Sequence, residues 1–217
     1  MPKWCKTIVA VLLLPLCFGA VKALSQVLRA SGAADTFWVA ALSGAACWVV
    51  IYLLLPKPMW VYVFGHELTH ALWTWLLGGR VKKFKASAAG GHVVVTKTNF
   101  VIALAPYFFP LYAFLVVAVF AIGYFILNWH AHIVWFHLLL GVAYAFHVTL
   151  NWHILQNGQS DIIEQGYLFS AVIIFLGNIM VLLAGISLLA AKVDLLTTLA
   201  WWLEGTGQVL HLLAGFL

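Results

Sequence analysis

Charge is what this chain has least of. Only 8% of its 217 residues are Asp, Glu, Lys or Arg, against roughly a quarter in a soluble domain. Acids are scarcest, six in all: Asp35, Glu67, Asp161, Glu164, Asp194 and Glu204. So little charge excludes a soluble domain that must cover itself for water. Cysteines number three, Cys5, Cys17 and Cys47. An odd set lying in or beside apolar stretches is neither a disulfide framework nor a zinc cluster. The eleven Lys/Arg give a net charge of +5 but sit scattered at segment ends. That pattern suits anionic lipid at a membrane edge and excludes a nucleic-acid surface. Internal repeats and low-complexity linkers are missing as well.

What fills the chain instead is apolar. Hydrophobic residues make up 65% of it, and the mean hydropathy is +1.05. Apolar runs of about 18 residues or more imply helices that cross a membrane. The expected fold is an all-α polytopic membrane protein, one integral domain over residues 1–217, with about six transmembrane helices and a possible seventh. The first two spans fall at Thr7–Leu24 and Phe37–Leu55, an N-terminal helical pair within 7–55; Pro56-Lys57-Pro58 closes the second. The first could also serve as a signal peptide cut near Gly19-Ala20, but a second span follows so closely that a retained anchor is expected. A core over 60–189 holds a third span ending at Gly78-Gly79, a fourth over Phe100–Leu127 broken at Pro106 and Pro110, a fifth over Ile133–Leu155 and a sixth over Tyr167–Leu189. The tail, 195–217, carries Trp201-Trp202 and reads as an interfacial helix or a seventh span.

Between the third and fourth spans the texture turns polar, basic and glycine-broken. Two short strands are expected there, Arg80–Ser87 and His92–Lys97, joined through Ala88-Ala-Gly-Gly91. An open strand edge cannot face lipid, so this hairpin must lie at the interface or be packed by protein. Its edge could accept an extended peptide; a solvated interfacial loop is the plainer alternative.

Inside the third span stands His66-Glu67-Leu68-Thr69-His70. Positions i and i+4 share a helix face, so the two imidazoles can bind one metal ion together. Glu67, on the neighbouring face, can act as general base towards a water that the metal activates. With nine histidines in the chain, chance would place HExxH in roughly one such chain in two hundred. The alternative is a pair of buried histidines satisfied by backbone or hydroxyl partners beside a neutral Glu67. Ionisable groups in an apolar helix are costly, and that cost favours function.

Catalytic zinc takes three protein ligands, so a third is needed far along the chain. Asp161 follows the helix-stopping pair Asn157-Gly158, in a break where irregular backbone is tolerated only if it lines a site. An N-cap of the sixth helix is its other reading. His147 and His153 on the fifth span are rival ligands, although six residues apart they share no helix face well.

These residues carry a family resemblance. The chain resembles the site-2 protease family of intramembrane zinc metalloproteases, as a divergent and minimal branch. In that family the HExxH helix is followed by glycine and a membrane-associated β-hairpin, matched by Gly78-Gly-Arg-Val-Lys-Lys-Phe. A later helix begins near an Ala/Gly-Pro step, matched by Ala103-Leu-Ala-Pro106. An Asn then precedes a broken stretch holding the ligand Asp, matched by Asn151 ahead of Gln159-Ser-Asp161. The Pro before and Gly after that Asp in the family pattern are absent here. The resemblance covers roughly Trp60 to Leu189. It implies one Zn²⁺ held by His66, His70 and Asp161, Glu67 as general base, and Asn151 at the oxyanion or the substrate backbone. It also implies hydrolysis of peptide bonds in a membrane-embedded protein substrate. A helix–helix hydrogen bond is the other reading of Asn151.

Two other classes compete: a non-proteolytic transporter or scaffold of the same fold, and a lipid-modifying metal enzyme built on His130, His132, His137, His147 and His153. Intact Glu67 speaks against the first, and the missing HxxHH spacing against the second. The expected location is integral and multi-pass, in a bacterial cytoplasmic membrane, with lipid as the other partner. An outside N-terminus puts Lys22, Arg29, Arg80, Lys82, Lys83, Lys85 and Lys97 in the cytoplasm and Lys3, Lys6, Lys57 and Lys192 outside, as the positive-inside rule favours.

Overall fold

Proline and glycine end the helices of this protein much as its sequence implies. The computed structural model describes residues 2–191 and 193–215; Lys192, which enters the charge count above, and Phe216 and Leu217 at the end of the tail lie outside the described residues. Helix α1 is Lys3–Ala30, longer than the expected span at both ends, with Arg29 in its last turn complementing the C-terminal dipole. Helix α2 is Asp35–Leu54, with Asp35 in its first turn, and α3 is Met59–Leu76, beginning directly after Pro58. Gly78, at φ 77°, provides the left-handed residue just past α3 that a side chain would resist.

The fourth expected span is two helices, α4 (Phe100–Phe108) and α5 (Leu111–Ile126), bent by 72°. Asn99 caps α4, its side chain accepting from the Ile102 amide at 2.9 Å. A 3₁₀ turn at Trp129–His132 leads into α6 (Ile133–Leu155). A short helix, α7 (Ser160–Gln165), stands where an unwound segment is expected, followed by α8 (Tyr167–Leu189) and α9 (Leu195–Ala214). Asp194 caps α9, and hydrogen bonds from the Thr197 amide and hydroxyl hold its carboxyl below the usual range.

Among the described residues, four helical stretches are long and apolar enough to cross a membrane: α1, α2, Trp129–Leu155 and α8. The bent α4–α5 pair is a fifth if its two helices form one span. Such a set is compatible with a multi-pass membrane protein and reaches four or five of the six expected spans. Helix α3 is not in the set because its 18 residues include the polar HELTH run.

The chain divides into two compact units, Thr36–Gln159 and Met1–Asp35 with Ser160–Leu217. In the second, α1 packs against α8 and α9, Trp202 Nε1 donates to the Leu16 carbonyl at 2.9 Å, and the buried Ser187 and Thr198 hydroxyls meet at 2.8 Å. Lys6 Nζ donates to Gln165 Oε1 at 2.7 Å, tying α7 to α1. In the first, Gly44 and Gly141 let the backbones of α2 and α6 touch. Trp48 Nε1 donates to Thr149 Oγ1 at 2.8 Å across that seam, and Trp48, Tyr62, Val63, Phe146 and Leu150 form a core beside it.

The hairpin is present, with strands β1 (Val81–Ser87) and β2 (Gly90–Val95) antiparallel. The second starts two residues earlier than the sequence suggests, because Gly90 and Gly91 pair with Ser87 and Ala86 and leave only Ala88-Ala89 as the turn. Phe84 turns towards α3 and meets Phe64 edge-on at 5.7 Å. Arg80, Lys82, Lys83, Lys85 and Lys97 are all exposed.

Candidate metal centre

Helix α3 puts His66 and His70 one turn apart, with ring centroids 4.9 Å from each other. What each Nδ1 meets decides which nitrogen can bind a metal. His70 Nδ1 lies 2.8 Å from the Ile102 carbonyl oxygen. A carbonyl only accepts, so this nitrogen carries the ring proton and Nε2 carries the lone pair. His66 Nδ1 lies 3.3 Å from the Tyr62 hydroxyl. Tyr62 gives its one proton to Asn151 Oδ1 at 2.8 Å, so its oxygen accepts from His66 Nδ1–H. Both imidazoles are thereby set in the same tautomer, with Nε2 as the ligating nitrogen, an arrangement typical of histidines bound to zinc.

Glu67 is buried at 8% exposure, under the hairpin. A Cβ on Gly91 would stand 2.7 Å from Glu67 Cγ and 2.9 Å from Val63 Cγ1, so only glycine lets β2 come down this closely. Gly91→Val is expected to lift the hairpin from α3 at a cost of roughly 1–3 kcal/mol. Faster hydrogen exchange in 81–95, with α6 unchanged, is the measurement that checks it.

A cavity of about 20 Å³, bounded by Tyr62, His66, Thr69, Pro106, Tyr112 and His147, opens beside His66. That is room for a single water molecule.

Asn151 is a clamp. Its oxygen accepts from Tyr62, and its nitrogen lies 3.3 Å from the carbonyls of Pro106 and Tyr107 and 3.1 Å from His147 Nε2. The amide's donors and acceptor are all turned to protein groups, which is the helix–helix reading of this residue. His147, one of the rival ligands, is buried in the wall of the same cavity. His153 sits half-buried near the end of α6, where its carbonyl accepts from Asn157 Nδ2 at 3.2 Å.

Asp161 lies in the other unit, half-buried in the first turn of α7. It does not cap the following helix, whose cap position is Gly166. Besides Lys6–Gln165, the Ser170 hydroxyl holds α7 from the α8 side by donating to the Ile162 carbonyl at 3.3 Å.

In the histidine-rich stretch, the rings meet aromatic neighbours. His130 packs on Tyr124 at 4.0 Å, His132 lies near Trp129, and the buried His137 meets Phe37 at 5.0 Å. Sequence reasoning passed over Tyr62 and the Ile102 carbonyl. Tyr62 had a signal, standing four residues before His66 on the same helix face; a backbone acceptor has none.

No family model matches the chain, and neither a curated protein nor a solved structure does.

Proposed function

We propose that this chain is a zinc-dependent intramembrane endopeptidase, cutting a membrane-embedded protein in or near the bilayer. The observation that carries the reading is the pair of Nδ1 contacts, His70 to the Ile102 carbonyl and His66 to the Tyr62 hydroxyl, from which one common tautomer follows. Two neutral imidazoles ligating through Nε2 are a zinc half-site, and Asp161 is the carboxylate assigned to it here as the third ligand. Zinc there would supply Lewis acidity towards a peptide carbonyl and make water a better acid.

Glu67 accepts the proton of the attacking water and passes it to the leaving amine as the C–N bond breaks. Its burial on the helix that carries the histidine pair supports that role, since a scaffold or transporter that merely kept the metal would have no use for a base there. Tyr62 holds His66, and Asn151 holds Tyr62. The hairpin over Glu67 keeps the base away from bulk water.

Purified protein is expected to carry about one zinc, from a single three-ligand site, and to cleave a model transmembrane substrate. In the His66→Ala/His70→Ala double variant, elemental analysis should find that zinc gone. Full occupancy in that variant would sink the assignment.

A further inference from the structure

Helix α4 carries a proline in its interior, where a proline ordinarily weakens a helix by withholding a backbone donor. The donor withheld at Pro106 is the one that would have met the carbonyl four residues back, that of Ile102. Ile102 is only 2% exposed, so water is a poor substitute partner. What stands 2.8 Å from that carbonyl is His70 Nδ1.

We propose that Pro106 is a positioning residue for His70: by having no N–H, it gives the Ile102 carbonyl to the imidazole and so fixes Nε2 as the ligating nitrogen. Its purpose rests on the zinc reading above; its chemistry does not. The same device recurs one turn on. Pro110 has no N–H for the Pro106 carbonyl, and Leu111, the usual donor to Tyr107, gives its N–H to Phe109 at 2.9 Å. Both carbonyls left over lie 3.3 Å from Asn151 Nδ2. The break between α4 and α5 therefore turns three backbone acceptors inward, and the polar side chains of the site take all three.

The test is Pro106→Ala in the full-length protein. Alanine restores the N–H, which competes with His70 for the Ile102 carbonyl. In metal-free protein labelled with ¹⁵N-histidine, the His70 ring, assigned by its loss in His70→Ala, should change from one tautomer to a mixture. Zinc affinity should fall about 10- to 100-fold, the usual effect of losing a histidine's outer partner. A second variant isolates the N–H: the α-hydroxy analogue of alanine at 106 leaves an ester with neither ring nor N–H, and should restore the single tautomer. An unchanged tautomer in Pro106→Ala overturns the proposal. An equal change in Pro106→Ala and in the ester also overturns it, because the proline ring and not the missing donor would then matter. If the tautomer moves as expected while neither Pro106→Ala nor His70→Ala alters zinc content, the positioning stands and the zinc reading falls.

Discussion

Glu67→Gln is expected to keep its zinc and lose hydrolysis, by on the order of a hundredfold or more. The amide preserves the size of the side chain and its fit beneath Gly91, where little room exists for a different shape. It cannot take a proton from water at neutral pH, so only the base is removed. The comparison needs two measurements on one preparation, zinc by elemental analysis and cleavage of a model transmembrane substrate. Turnover close to wild type would move the base elsewhere and leave Glu67 as a packing residue. Loss of zinc along with activity would mean that the carboxylate serves the metal or the fold.

Asp161→Ala should remove zinc and activity together. A carboxylate in the first turn of a six-residue helix also complements that helix's dipole, and losing that alone would cost no more than about 1 kcal/mol. The two roles separate cleanly, because only the ligand role predicts a metal-free protein with the rest of its fold intact. Asp161→Cys adds a positive arm, since thiolate is a competent zinc ligand and should retain metal where Ala does not. Equal zinc in wild type and Asp161→Ala would return the third-ligand position to the fifth-span histidines, with His147, in the cavity wall beside His66, the first to examine.

The sequence disclosed most of what depends on local chemistry. Pro56, Pro58, Gly78 and Pro110 punctuate helices where their backbone rules require, whereas Pro106 lies inside α4 and not at a break, and α6 and α8 run over the expected residues. HExxH announced the pairing of His66 and His70 because both lie on one helix and need only 3.6-residue periodicity to meet. Asn151 was visible as a polar residue in an apolar helix, but the choice between substrate and helix clamp depends on Tyr62, Pro106 and Tyr107, which are distant in the chain. The helix over Ser160–Gln165 was missed because its polar residues and flanking glycines read as a break. Helix α3 falls outside the set of span-capable helices because a single polar pentapeptide lowers its hydropathy.

One last consequence follows from the cations of the hairpin. Between Asp35 and Asp161 the only acid is Glu67, and it is buried. Arg80, Lys82, Lys83, Lys85 and Lys97 therefore form an uncompensated block of positive charge on a short surface element. Carrying one elementary charge through a membrane potential of about 100 mV takes about 2.3 kcal/mol, so moving these five against it takes about 12 kcal/mol, before any cost of dehydration. In a bilayer that carries such a potential, a hairpin on the electrically negative side would be held there by that energy.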